Sequence, residues 1–542
     1  MRSVGPSLEL MITSEDITGT GAPSTLLIFN NEKGFSSKNI DSICSVGLST
    51  KKGTRKRGYI GEKGIGFKSV FHITAQPYIF SNGYQIRFNE EPCPHCNLGY
   101  IVPEWVEENP TLSDIQQIYG SKTSLPTTTI VLPLKPDKVK PVNQQLSSVH
   151  PEVLLFLTKL KRLSVREHHK DPKLNTVSAI AITSETNHVR RTKIGAMSFT
   201  LHLSVEREIN GSDAECSYYM WKQRFPVRHE NRVERIMEVE ELTITLAFPI
   251  GEHLKRGNSS PGIYAFLPTE MVTNFPFIIQ ADFLLASSRE TILLDNKWNQ
   301  GILDCVSSAF IDAFVSLVQT SENDPPSSLA SMFKFIPVNS SSYQELNKVR
   351  NSIKEKLVEE NIVPCESYTQ QKFFHKPCEV GRLMTDFWNI LEKAAKEGKS
   401  LLYLSYHGKY ILSPSFDKGE YDHVLSFLGV EPVNYEWYAE CIQSSNLVAG
   451  VTDDVYLEIL LFVAENWKSK LDSTRMKNIP LIKYLGVDRD VSLCTIDECR
   501  NSYKVVLSSK NPNHSSWLIN WNWEFHCIDS HFFMPQSTQE AI

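Results

Sequence analysis

The chain has 542 residues, 41% of them hydrophobic and 22% charged, with a net charge of −6. This balance supports buried cores in several domains and gives no electrostatic case for a nucleic-acid partner. No apolar run approaches the roughly 18 residues of a membrane span, the N-terminal stretch lacks the pattern of a secretion signal, and 11 scattered cysteines point to reduced thiols in a nuclear or cytoplasmic setting.

In chain order, "SLELMIT" (7–13) and "STLLIFN" (24–30) read as strands joined by the polar, glycine-bearing "SEDITGTGAP". In "SSKNIDSICSV", Ile40, Ile43 and Val46 recur every three residues behind a serine at the N-cap, which predicts a short helix. A basic loop, "STKKGTRKRG" (49–58), then leads into "GYIGEKGIGFKSVF" (58–71). Gly61, Gly64 and Gly66 fall within six positions, and "FKSVFHITA" is expected as the helix that follows. A glycine loop feeding a helix start is an anion cradle, because free N–H groups and the helix dipole both favour negative charge. The same pattern fits a plain tight turn with close helix packing. It is not a Walker loop, since no Lys-Ser/Thr closes a G-x-x-x-x-G, and no strand leads directly into it as a Rossmann fingerprint requires.

"PYIFSNGYQIRF" (77–88) predicts a hairpin around Asn82-Gly83, and "TTTIVLPLK" (127–135) a further strand. "CPHC" (93–96) has metal-ligand spacing without a second close pair, so a tight polar turn with two reduced thiols is expected and no metal. "KKGTRKR" (51–57) fits a nuclear-import signal, a phosphate-facing lid or a solvated loop. His72 is read as structural.

From about residue 150 the pattern changes. "PEVLLFLTKLKRLSVRE" starts helical and ends strand-like, and "SAIAITS", "MSFTLHLSVE" and "EELTITLAFPI" read as strands. A helix is expected within 298–319, and the polar "TSENDPPSSLA" (320–330) is the best boundary. Beyond it come helices such as "NSIKEKLVEEN" and "DVYLEILLFVAENWKSKL" and short strands such as "SYKVVLSS" and "WLINWNWEF". No chemistry is legible there, and its tryptophans and tyrosines are read as core. The expected organisation is a module at 1–150, a second α/β domain at 151–320 and a mixed C-terminal region at 331–542.

The order of strand, "NNEKGF" (30–35), helix, loop, "GEKGIGF", hairpin and Thr-rich strand resembles the GHKL ATPases, the superfamily of gyrase, the large heat-shock chaperone, histidine kinases and MutL. Within it, residues 26–71 look closest to the plant NO VEIN-like proteins, relatives of the sacsin-type module. The resemblance implies an α/β (α+β) Bergerat-fold sandwich that binds ATP with Mg²⁺. It implies that Gly61, Gly64 and Gly66 let the backbone wrap the phosphates, with Lys68 near them. Phe67 would open the helix with its ring in the core, Gly34 would belong to the first box, and Thr128 would sit near the adenine. Arg289, in "QADFLLASSRETI" (280–292), would hold the position of an arginine that reaches the γ-phosphate.

Two departures stand out. Asn30 replaces the family's aspartate, so its oxygen accepts a hydrogen bond but brings no charge, and Glu32 stands where the first box has glycine. No E-x-x-x-N helix, the family's source of the water-polarising glutamate and the Mg²⁺ ligand, precedes "SLELMIT". The expectation is therefore an ATP-binding, chaperone-like or conformational-switch protein, with hydrolysis negligible unless that helix is supplied. The alternative is a non-catalytic interaction scaffold. The expected partners are an adenine nucleotide and unidentified proteins, without membrane or nucleic acid.

Overall fold

The computed structural model describes residues 5–45, 66–120, 123–207, 214–233, 239–251, 262–320, 326–366, 373–399, 408–444, 447–485, 491–501 and 517–518. They divide into two units, Met1–Phe310 with Asn339–Val349, and Ile311–Val338 with Arg350–Ile542.

The first unit is built on one mixed sheet of fourteen described strands. In chain order these are Ser7–Thr13 (β1), Thr25–Asn30 (β2), Tyr78–Ser81 (β3), Tyr84–Arg87 (β4), Glu104–Trp105 (β5), Thr128–Pro133 (β6) and Arg162–His168 (β7). Then follow Thr176–Arg191 (β8), Ala196–Arg207 (β9), Ala214–Pro226 (β10), Glu241–Ile250 (β11), Ile263–Ala265 (β12), Leu267–Pro268 (β13) and Ile278–Gln280 (β14). Their spatial order is β13-β12-β14-β11-β10-β9-β8-β7-β1-β2-β6-β3-β4-β5. Most neighbours are antiparallel, but β1 and β7 pair in parallel from Ser7↔Arg162 to Thr13↔His168. That ladder carries the sheet without a break across residue 150. The combination of a large mixed sheet with helices is the α/β class expected.

Period-two alternation separates the two faces near the N-terminus. Met11, Leu27, Phe29 and Val131 point one way and bury Ile115 and Ile118 of Leu112–Tyr119 (α2). Leu26 and Leu132 point the other way, toward Val142 of Val139–Ser147 (α3). On that second face Ile79, Ile86 and Phe88 also cover Ile40 of Ser37–Ile43 (α1) and Phe71. Ser36 caps α1 as read from the sequence, its hydroxyl accepting from Asn39 N–H. The 77–88 hairpin is also as expected, with Asn82 (φ 48°) and Gly83 (φ 84°) both left-handed, the pair a two-residue primed turn demands.

Three features differ from the sequence reading. The helix expected at "FKSVFHITA" is a 3₁₀ helix, Phe67–His72, because Thr74 bridges to Leu134 and Lys135 N–H donates to Ile73 C=O, drawing the chain into the sheet. Strand β10 was not expected. It buries Tyr218 and Met220 on one face and Trp221 on the other, which hides its alternation. Helix α2 was also unforeseen, although its Thr111–Asp114 capping box is a legible start signal.

Helix Lys297–Thr320 (α4) is long and apolar enough to cross a membrane by length and mean hydropathy, yet 67% of its apolar window is buried. Trp298, Ile302, Val306 and Phe310 recur at four-residue spacing and are buried, and Phe310 meets Phe277 with ring centroids 5.0 Å apart. In this fold α4 is a core helix.

The second unit gathers Thr385–Lys396, Tyr435–Ser444 and Asp453–Glu465 around one apolar core. Phe387, Tyr438 and Phe462 contact one another at 4.9–5.3 Å between centroids. Burial pushes the Tyr438 phenol up to about 12, while Met384 N–H donates to its oxygen at 2.9 Å. These aromatic residues are core, as expected. "SYKVVLSS" and most of "WLINWNWEF" lie outside the described residues.

A fragment ending at residue 150 keeps β1 but loses β7, opening an edge that runs from Ser7 to Thr13. Open apolar edges pair with one another. On size exclusion that fragment is expected to elute as aggregate, whereas residues 1–349 elute as a discrete species. A monomeric, folded 1–150 fragment would contradict the continuity of the sheet.

Candidate functional site

Three polar residues line one end of the sheet on the face that carries α1, α3 and the 3₁₀ helix. The ladders set Ser81 opposite Thr128, and Thr128 opposite Asn30. Ser81 and Thr128 are buried, so their hydroxyls need partners. Ser81 Oγ accepts from Phe35 N–H at 2.9 Å and lies 2.8 Å from Thr128 Oγ1. Thr128 in turn donates to Glu32 Oε1 at 3.5 Å.

The "NNEKGF" segment is held over this row from both ends. Asn30 Oδ1 accepts from Glu32 N–H at 3.0 Å. Asn31 accepts from Ser7 N–H at 2.8 Å and donates to Gly5 C=O at 3.0 Å. Asn82, from the hairpin tip, donates to Lys33 C=O at 2.9 Å and to Phe35 C=O at 3.3 Å. Gly34 has φ +85°, and a Cβ there would lie 2.4 Å from the Asn82 side chain. Its glycine is thus required twice, by conformation and by space. Glu32 N–H closes an Asx turn on Asn30, which sets the shape of the loop at this position.

Gly66 behaves differently. Its backbone is right-handed helical (φ −59°, ψ −45°), and a Cβ would meet nothing within 4 Å. The described fold places no demand on glycine there. Phe67 packs edge-on against Phe88 at 5.6 Å and joins the Ile40–Ile86 core, as expected. Lys68 reaches across to donate its ammonium to Ser45 C=O. Burial lowers the Lys68 pKa from its usual 10.5, with Cys44 pulling the other way. Burial first, and Asp41 second, raise the Cys44 thiol. Gly61, Gly64 and "KKGTRKR" lie outside the described residues.

Arg289 stands elsewhere in the sheet. It follows β14, seven strand positions from β2, at the tip of a turn closed by the Leu285–Ile292 bridge. It is exposed with φ +67°, unusual for a side-chain-bearing residue. Asn299, fully buried on the first turn of α4, clamps that turn: it accepts from Leu284 N–H at 2.8 Å and donates to Leu284 C=O at 2.7 Å and Leu293 C=O at 2.9 Å. Among the described residues no hydrogen bond or ion pair joins Arg289 to the Asn30–Thr128 row. "CPHC" forms a tight turn in which Cys96 and Asn97 N–H both donate to Cys93 C=O, and both thiols are free. His72 is exposed on the 3₁₀ helix.

Sequence reasoning did not single out Ser81, Asn82 as a clamp, or Asn299. Asn82 was noted only for its turn, and Ser81 stands one residue before it. Asn299 carried no local signal, since its partners lie fifteen and six residues away.

Comparison with known proteins bears on the same segment. A model of the sacsin domain matches residues 9–96, which include Asn30, Gly34 and the glycine loop through Lys68 but neither Thr128 nor Arg289. Protein NO VEIN of Arabidopsis thaliana is 28% identical over 385 residues, 68% of this chain and 13% of that protein. The chain is sacsin-like and NO VEIN-like. It spans only that small share of the NO VEIN length, and the sacsin-like part takes in Asn30 and Ser81 of the polar row but not Thr128.

Of the candidate glycines, the two that are described, Gly34 and Gly66, make opposite predictions. Gly34→Ala should lose roughly 1–3 kcal/mol of stability, from a disfavoured φ and the clash with Asn82. Gly66→Ala, in unstrained helical backbone, should be neutral or gain about 0.4–1 kcal/mol. Chemical denaturation of the two variants checks this ordering.

Proposed function

We propose that residues 5–150 bind an adenine nucleotide with Mg²⁺, and that binding acts as the switch of a chaperone-like, conformational protein in the nucleus or cytoplasm. The observation that carries this reading is the convergence of Asn30, Thr128 and the Gly34 loop on one sheet face with the 3₁₀ helix bearing Phe67 and Lys68. Asn30 keeps one lone pair on Oδ1 for an exocyclic amino group. Gly66, with no internal reason to be glycine, leaves room for a phosphate. Lys68 carries a partly desolvated cation that an anion would satisfy. Mg²⁺ would arrive with the phosphates, since the described residues contain no group of three or more potential ligands. Arg289 sits on the turn fixed by Asn299, seven strands from β2, so it reaches a γ-phosphate only if nucleotide binding brings that turn to the row.

One observation favours a second reading, a protein-binding scaffold without nucleotide. Asn30 Oδ1 and Thr128 Oγ1 already have partners, Glu32 N–H and Glu32 Oε1. Internal satisfaction of this kind leaves less for a base to gain.

Calorimetric titration with Mg-ATP separates the two. Nucleotide binding predicts a saturable heat that Gly64→Val abolishes. Lys68→Met should weaken affinity about tenfold, a loss of roughly 1.4 kcal/mol, without lowering the melting temperature, because a cation whose pKa is lowered on folding costs stability while charged. Arg289→Ala should reduce the preference for ATP over ADP. The pH dependence has a fixed sign: Lys68 attracts phosphate while protonated, so affinity holds at neutral pH and falls on alkalinisation at a pH below the usual lysine value of 10.5. No heat from the unmodified protein, or equal heat from Gly64→Val, supports the scaffold.

A further inference from the structure

Trp105, at 62% exposed, is the most open large apolar side chain among the described residues. It lies parallel to the ring of Tyr84, planes 9° apart and centroids 6.5 Å apart. Leu98 and Tyr100 are also exposed, on the loop after β4, and Tyr100 meets Phe71 edge-on at 4.9 Å. A surface that keeps an indole open beside the Tyr84 ring marks an interaction site.

Backbone geometry agrees. Strand β5 is the last in the described sheet. Val106 N–H donates to Gln85 C=O at 2.9 Å, and Trp105 lies opposite Ile86. Antiparallel alternation then points the Trp105 N–H and C=O away from β4. Pro103 has no N–H and limits how many backbone bonds this edge can make, so side chains must carry much of any affinity.

The rim identifies the occupant. Glu107 and Glu108, just past Trp105, are exposed and have no ion-pair partner among the described residues, whereas Glu104 pairs with Arg87 at 3.0 Å. A second copy pairing edge to edge would set these carboxylates against their own images. Nucleic acid is repelled by the same charge.

We propose that the β5 edge docks an extended, lysine- or arginine-bearing segment of a partner protein, added as a strand beside Trp105. Its apolar side chains rest on the Tyr84–Trp105 ledge and its cations meet Glu107 and Glu108.

The probe is a fluorescein-labelled heptapeptide alternating lysine and valine, titrated into the full chain at low salt and followed by anisotropy. Trp105→Ala should weaken binding about tenfold with an unchanged melting temperature, as the side chain is open. Glu107→Lys/Glu108→Lys should lose this peptide and gain the glutamate–valine counterpart. Glu290→Lys/Asp295→Lys, which alters the same net charge on another turn, should stay within about twofold. Equal losses in both charge variants would show attraction by net charge alone and overturn the proposal. So would wild-type affinity in Trp105→Ala, absence of binding by the unmodified chain up to about 1 mM, or a dimer in sedimentation that Trp105→Ala abolishes.

Discussion

The parallel ladder between β1 and β7 is the constraint on which the first unit depends. Strand β1 is buried on both faces toward its C-terminal end, with Met11 and Ile12 on opposite sides. It is also paired on both edges, antiparallel to β2 and parallel to β7. A strand of this kind cannot tolerate an open side, since its N–H and C=O groups would be left without partners. Parallel pairing needs a long crossover, supplied here by the whole of residues 14–161. Everything in the sacsin-like segment lies inside that crossover, apart from β1 itself.

A smaller constraint shapes the candidate site. Two buried hydroxyls, Ser81 and Thr128, need partners, and each finds one by drawing on the loop between β2 and α1. Asn82 adds the clamp that forces Gly34 into a left-handed conformation. The row is thus rigid where it is buried, and its outermost members, Asn30 and Glu32, face outward. Rigidity of this sort is what a recognition surface requires, whether its ligand is a nucleotide or a protein.

Much of the local structure was legible because it rests on neighbouring residues. Strands β1, β2 and β6, a serine cap on α1 and the Asn82-Gly83 turn all follow from residues within a few positions of one another. The glycine box and its sacsin-like context were legible for the same reason. What the sequence did not disclose depends on distant partners. Thr74 and Lys135 convert an expected helix into a short 3₁₀ helix through contacts some sixty residues apart. The continuity of the sheet past residue 150 rests on pairs such as Leu10↔Val165. Ser81 acquires its place in the site only when β6 sets Thr128 beside it.

Amide hydrogen exchange with and without Mg-ATP tests the central claim most directly, because it reads position as well as binding. The account predicts slower exchange in 32–36, in 81–83 and at Thr128–Thr129, together with the amides of 61–68, and no change in the second unit's core helices. Protection confined to other regions, or none at saturating nucleotide, would contradict the assignment of this row as the ligand site.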